Sequence, residues 1–351
     1  MSKLIVLMIG VTFAAASCNL TEPLGITTGS RGIFKSEDGG ESFRTANDIE
    51  KKGNINNVSV NALAFSPDNS EVIYLASNSG IYKTESAAAG WIYILSGIAV
   101  SDLAIDPRNP DVIYAAGVSG NNGKIIRSKD GGDNWSEIYT EPSKSNPVTS
   151  LAISQSTSVL IAGLASGEII RSFDGGDSWQ AGEDLQSRVI KIRFAGANSV
   201  YVLARTAGLF KSLDSGNAWT KITSVFTRDN VFSNPGVPAV SAFHDFAVDP
   251  RLSGVVYLAA EEGLFRTVSD GAVWNILNLP LKDTALKVSS LAVNPANSNN
   301  LFVSVGSTIL KSSNGASTWE TRELRTEQAV RVIAIDPQSP NVVYLGLGER
   351  K

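Results

Sequence analysis

Four stretches set a serine, a carboxylate, a glycine and an aromatic ring in one register: SEDGGESF (36–43), SKDGGDNW (128–135), SFDGGDSW (172–179) and SLDSGNAW (212–219). Acidic side chains beside glycine are the raw material of calcium loops, which need roughly six to eight oxygen ligands. Each stretch supplies one in-register carboxylate (Asp38, Asp130, Asp174 or Asp214) and at times a second, such as Asp177. That is too few for a cage, so no metal or other cofactor is assigned and the pattern reads as a turn. In such a turn Asp174 accepts backbone N–H groups and Ser172 satisfies another nearby group. Gly176 takes a positive φ that other residues resist, and Trp179 opens the next strand with its ring on the sheet. The same roles fall to Ser36, Asp38 and Gly40 (with Phe43), to Ser128, Asp130, Gly132 and Trp135, and to Ser212, Asp214, Gly216 and Trp219.

Other reactive side chains are scarce. One histidine (His244) and one cysteine (Cys18) exclude His-rich metal centres and Cys–His nucleophiles, and no phosphate-binding G-x-x-x-x-G-K-[ST] loop is present. A net charge of −4 argues against a general nucleic-acid binder, which needs a basic surface to release counterions. Hydrophobic residues make up 43% of the 351-residue chain and charged residues 18%, enough apolar side chain for a large core.

The turn belongs to a longer repeat. With its preceding strand it recurs at 32–43, 124–135, 168–179 and 208–219, and in degraded form at 80–91, 263–274 and 308–319. The degraded copies are expected to keep the hairpin and lose the side-chain hydrogen bonds. A second unit, typified by LAIDPRNPDVIYAAG from Leu103, alternates with the first and also occurs seven times. Two hairpins per 40–55 residues make a four-stranded β-propeller blade, so the fold class is all-β with seven blades. The first turn unit has no partner before it, and the last LAIDP unit, at 333–347, has none after it. The closing blade is therefore expected to take its inner strands from the C-terminus and its outer strands from the N-terminus.

The expected organisation is a signal peptide at 1–17, a tether at 18–30 and one propeller at 31–351. Within the propeller, 31–57 and 328–351 form the closing blade, and the complete blades span 58–97, 98–144, 145–185, 186–236, 237–283 and 284–327. The N-terminus carries Lys3, an apolar run from Leu4 to Phe13, and Ala15-Ala16-Ser17-Cys18. This resembles a bacterial lipoprotein signal in which Cys18 becomes the lipidated first residue; the alternative is ordinary secretion. Export, a membrane contact through lipid alone, and a monomer follow as expectations.

Function is expected on the face away from the turns. The long segment 223–246 carries Phe226, Arg228, Phe232, His244 and Asp245, and long loops on rigid scaffolds favour recognition. A polar ring just before the inner strands holds Asn61, Ser101-Asp102, Thr149-Ser150, Lys191, His244-Asp245, Ser289-Ser290 and Arg331. With Arg205, these give Asp102, Lys191, Arg205, Phe226, Arg228, Phe232, His244, Asp245 and Arg331 as candidate partner-binding residues. No catalytic residue is assigned. A glycosidase needs paired carboxyl groups about 5–5.5 Å or 6.5–9.5 Å apart, and the candidates are Asp102 and Asp245, with Glu261 and Glu262 nearby.

The repeat G-[IL]-[FY]-[KR]-[ST]-x-D-G-G-x-x-W with L-A-[IV]-D-P-x-x-P-x-V-[IV]-Y resembles the Asp-box (BNR, sialidase-type) propellers. Over about 31–347 it resembles those of the photosystem II assembly/stability factor type, and more loosely the sortilin (VPS10) ectodomain. The first resemblance implies an exported scaffold, often lipid-tethered, that holds partner proteins through an arginine-rich patch. Arg188, Arg193, Arg205 and Arg228 in or beside the fourth blade are a partial echo of that patch. The sialidase Arg-Ile-Pro segment is absent, and xyloglucanase-type hydrolases enclose a cleft between two discs where this chain has length for one. The expected function is a non-catalytic scaffold for a protein or polysaccharide partner. The alternative is a carbohydrate-active enzyme or glycan binder of the sialidase/xyloglucanase kind.

Overall fold

The computed structural model describes residues 31–226, 238–281 and 287–348. Seven four-stranded antiparallel sheets form the blades of a propeller, and the described residues contain a single 3-10 turn, Ser224–Phe226, as their only helix. Blades are numbered I to VII from Val60, with strands a to d running from the axis outward. The a strands are Val60–Phe65, Ala99–Asp106, Val148–Ile153, Val189–Phe194, Phe243–Val248, Val288–Val293 and Ala329–Ile335. Blade VII closes the ring as expected. Its inner strands Ala329–Ile335 and Val343–Gly348 pair with Gly32–Ser36 and then Arg44–Thr45, in the register Phe34↔Leu345 and Lys35↔Tyr344. The two ends of the chain thus leave no open sheet edge at the seam.

Burial follows from strand position. The b strands Ile73–Ser77, Leu160–Leu164, Val200–Ala204 and Val256–Ala260 are buried at every residue, since neighbouring blades cover both faces, so they read as unbroken apolar or small-residue runs. Each core lies between two blades. One joins Tyr74 and Ala76 of blade I to Val100, Leu103 and Ile113 of blade II, and the seam core packs Ile33 and Tyr344 against Val60 and Ile73. Approach at the axis is close. A Cβ on Gly163 would lie 2.3 Å from Val189 Cγ1, and one on Gly346 would lie 2.6 Å from Val60 Cγ1.

The Ser-x-Asp turns join strands c and d on one face of the disc. Ser172 Oγ donates to Asp174 Oδ1 (2.8 Å) and accepts the Gly176 N–H (2.7 Å), while Asp174 Oδ1 accepts the Ser178 N–H (2.9 Å). Gly176 holds φ +95°, with Ile138 Cδ1 2.5 Å from where a Cβ would stand. The turns at Ser36, Ser128 and Ser212 repeat these bonds. The expectation for the degraded copies is corrected. Thr267 Oγ1 accepts the Gly271 N–H (3.0 Å) and Ser269 Oγ accepts the Val273 N–H (3.0 Å). Ser312 and Asn314 serve Ala316 and Thr318 likewise, and Thr84 serves Ala88. Any short side chain with an oxygen can fill the Ser or Asp place, so the hydrogen bonds survive loss of the carboxylate.

Each turn is also a socket for the preceding blade. Tyr74 Oη donates to Gly131 O (2.9 Å), Tyr114 Oη to Gly175 O (3.0 Å), and Tyr201 Oη to Asp270 Oδ1 (3.2 Å). Arg127 Nη1 reaches Gly175 O (2.8 Å) and Asp177 (2.8 Å); Arg171 Nη1 reaches Gly216 O (2.7 Å) and Asn217 (2.7 Å). Lys211 pairs with Asp270 and Lys311 with Glu41 in the same way. The chemistry-bearing turns are latches between blades.

Candidate functional site

The opposite face holds the mouth of the central channel, a cavity of about 1110 Å³ lined by residues from all seven a strands. A β-bulge interrupts every a strand at its start, between Val60/Ala62, Val100/Asp102, Val148/Ser150, Val189/Lys191, Phe243/Asp245, Val288/Ser290 and Val330/Val332. A bulge inserts one residue without a partner and re-aims the strand, so two rings surround the mouth, one residue out of step. The bulged ring is Asn61, Ser101, Thr149, Ile190, His244, Ser289 and Arg331. The next ring is Ala62, Asp102, Ser150, Lys191, Asp245, Ser290 and Val332. Lys191 therefore stands in register with Asp102 and Asp245, and His244 with Arg331, a division the sequence reading did not make.

The second ring is spent on joining blades. Asp102 Oδ2 accepts Ser150 Oγ (2.7 Å) and the Leu151 N–H (3.1 Å) from the next blade, and Oδ1 accepts its neighbour Leu103 N–H (3.0 Å). Ser150 Oγ then accepts the Ile192 N–H (2.9 Å) one blade further on. Asp245 repeats the arrangement across blades V to VII. Its Oδ2 takes Ser290 Oγ (3.0 Å) and the Leu291 N–H (3.0 Å), and Ser290 Oγ accepts the Ile333 N–H (3.3 Å). Lys191 is held by Asp245 and by Phe246 O (3.1 Å); burial pushes its ammonium below the usual lysine range, against the pull of Asp245. Asp102 and Asp245 are only 5% and 7% exposed. Their oxygens already serve N–H and hydroxyl donors of neighbouring blades, so both carboxylates act as clamps between blades.

Phe226 is also placed differently from expectation. It is buried in the core between blades IV and V, its ring 4.9 Å from Phe265, 5.5 Å from Trp274 and 6.0 Å from Phe243. The 3-10 turn Ser224–Phe226 after blade IV sets this side chain in that core. Arg228, Phe232 and Cys18 lie outside the described residues, as do the signal-peptide and tether segments.

What remains at the mouth is mostly cationic. Arg188, Lys191, Arg193, Arg205, Lys287 and Arg331 line the cavity, against Asp102, Asp245 and Glu323. Arg193 Nη1 lies 3.5 Å from Asp102 and donates to Ile192 O (2.7 Å). Arg205 directly follows strand b of blade IV, beside the entrance to strand a, its backbone N–H bonded to Arg188 O (2.9 Å). Neither the Arg188 nor the Arg205 guanidinium has a hydrogen-bond or ion-pair partner among the described residues. Although Arg188 is exposed at the rim, desolvation in the concave mouth and then the Arg205 charge push it below the ordinary arginine value. Beside them His244 Nε2 is 2.7 Å from Glu261 Oε2, which Lys287 also approaches at 3.4 Å. Burial holds His244 below the ordinary histidine value; Glu261 opposes the shift, and Arg205 and Lys287 add to it.

No family model and no curated protein matches the sequence. Solved structures do. The GH74 enzyme of Niastella koreensis superposes with a TM-score of 0.63 at 19% identity over 83% of this chain, which spans 51% of that protein. YCF48 bound to D1 peptide gives 0.62 at 14% identity, covering 83% of this chain and 93% of that one. The WD40 repeats of RRP9 give 0.62 at 10% identity, covering 86% and 99%. The chain thus spans about half the length of the GH74 enzyme it resembles. Identities this low show the propeller fold.

Proposed function

We propose that this protein is exported, held at a membrane by a lipid on Cys18, and acts as a non-catalytic scaffold that docks an extended partner, a protein segment in the first instance, on the mouth face. The observation that carries the reading is the pair Arg188 and Arg205. Two adjacent guanidinium groups without partners among the described residues stand at the rim of an open, mostly cationic cavity, and guanidinium pairs bind carboxylates well because they present parallel N–H donors. That YCF48 is seen with a peptide supports a peptide-like partner for this propeller as well.

The GH74 likeness supports a second reading, a glycan binder or hydrolase. Hydrolysis asks for one carboxyl group to protonate the leaving oxygen and another to act as nucleophile or base. At the mouth Asp102 and Asp245 are already committed to neighbouring blades, which weighs against it. The test sets a glutamate-rich decapeptide beside xyloglucan oligosaccharides, with binding and product release both measured. Peptide binding that is lost in Arg188→Ala/Arg205→Ala supports the scaffold. Oligosaccharide turnover overturns it. For the anchor, Cys18→Ser is expected to release the mature protein from membranes, and retention would remove that part of the proposal.

A further inference from the structure

His244 is the chain's only histidine, and the docking of a partner gives it no role by itself. It occupies the bulge of blade V, its side chain 9% exposed, with Nε2 against Glu261 Oε2 at 2.7 Å. The charged groups around it come from four directions. Glu261 and Glu262 lie on the turn after strand b of its own blade, Arg205 follows strand b of blade IV, Arg188 and Lys191 flank the start of strand a there, and Lys287 precedes blade VI. Asp245 follows it in sequence and is turned to Lys191 and Ser290. Glu261 already serves Lys287 at 3.4 Å, so a proton on His244 adds its charge to a mouth where Arg188, Lys191, Arg193, Arg205, Lys287 and Arg331 outnumber Asp102, Asp245 and Glu323.

We infer that Arg188, Arg205 and His244 form one proton-linked oxyanion site, in which a carboxylate or similar group seats on the two guanidinium groups and is held more tightly once His244 is protonated. The inference rests on the docking reading of the mouth and adds its ligand chemistry and its regulation. Its sign is fixed by linkage. An anion that prefers the protonated site must raise the His244 pKa, and each unit of that rise equals about a tenfold gain in anion affinity on going from the neutral to the protonated histidine. Because burial sets the unliganded value below the ordinary ~6.5, the gain develops on the acidic side of neutrality.

One histidine gives one pair of imidazole resonances, so tag-free protein reports its own titration by NMR. Sulfate is the first probe, since it keeps its charge between about pH 5 and 8. The expected result is a His244 pKa raised by about one unit at saturating sulfate, and sulfate affinity about tenfold higher below that pKa than above it. Arg188→Gln should remove the sulfate-induced shift while leaving the free titration intact, and His244→Gln should flatten the pH dependence while sulfate still binds. Sulfate that binds equally at all pH values, with the His244 titration unmoved, overturns the proton linkage and leaves the cationic docking face standing. No sulfate binding at any pH removes both. Two carboxylates then separate the sources: N-acetylglutamate amide stands for an acidic protein segment and galacturonate for an acidic polysaccharide.

Discussion

The two faces of the disc carry similar residue types put to opposite uses. On the turn face the carboxylates Asp38, Asp130, Asp174 and Asp214 accept backbone N–H groups of their own turns, and cations of the preceding blade grip the turns from outside. At the mouth Asp102 and Asp245 are spent in the same structural way, yet Arg188 and Arg205 have no side-chain partners among the described residues. A polar side chain signals function only when its bonding capacity is unfilled. By that measure the repeated turns, which dominate the sequence, are scaffold, and the pair Arg188 and Arg205 is where docking is proposed.

The largest effect expected from breaking this contrast lies at the mouth itself. Asp245→Ala would strand Lys191 and leave the Leu291 and Phe246 N–H groups without acceptors, at a cost of about 3–5 kcal/mol. Denaturant unfolding reads it, and a loss below about 1 kcal/mol would return Asp245 to the list of ligand-facing groups. On the turn face Ser172→Ala removes the acceptor of the buried Gly176 N–H, for about 1–3 kcal/mol with no change in anion binding. Arg188→Ala and Arg205→Ala should reverse that pattern, with stability within about 0.5 kcal/mol of wild type and affinity for an acidic peptide down about tenfold. Equal losses of stability and affinity in either set would erase the distinction. The smallest effect concerns acid. The Asn134 N–H and side chain, then Ser128, hold the Asp130 carboxyl down at about 2, and hydrogen bonds from Ser178 and Ser172 hold Asp174 well below the ordinary range. The stability these bonds add is fully present above the ordinary value near ~3.9 and fades as pH falls through the folded value. Melting curves should therefore weaken gently between about pH 4 and 2, and less so in Asp130→Asn.

Much of the architecture was legible because it is written repeatedly. The turn residues fix a hairpin locally, and the orphan half-repeats at 32–43 and 333–347 can be completed only by each other, as the pairing of Phe34 with Leu345 shows. The mouth ring was legible as a place and not as a set of roles. A bulge demands no particular residue, so nothing in VNALAF or VSSLAV marks the step that turns Asn61 and Ser289 one way and Ser290 another. Phe226 looked like a recognition residue because it opens a long segment, whereas burial among Phe243, Phe265 and Trp274 decided its place. The degraded turns kept their bonds because Ser269 and Asn314 offer oxygens at the position of the missing aspartate. For Arg188 the available signal was its cross-strand place beside Arg205, which can be assigned only once the register of blade IV is known.

Amide hydrogen exchange with and without a saturating glutamate-rich decapeptide tests the division of faces most directly. The predicted result is slowed exchange at 188–193, 205–206 and 243–246, with the turns at 128–135, 172–179 and 212–219 unchanged. Protection confined to those turns, with the mouth segments exchanging as before, would contradict it.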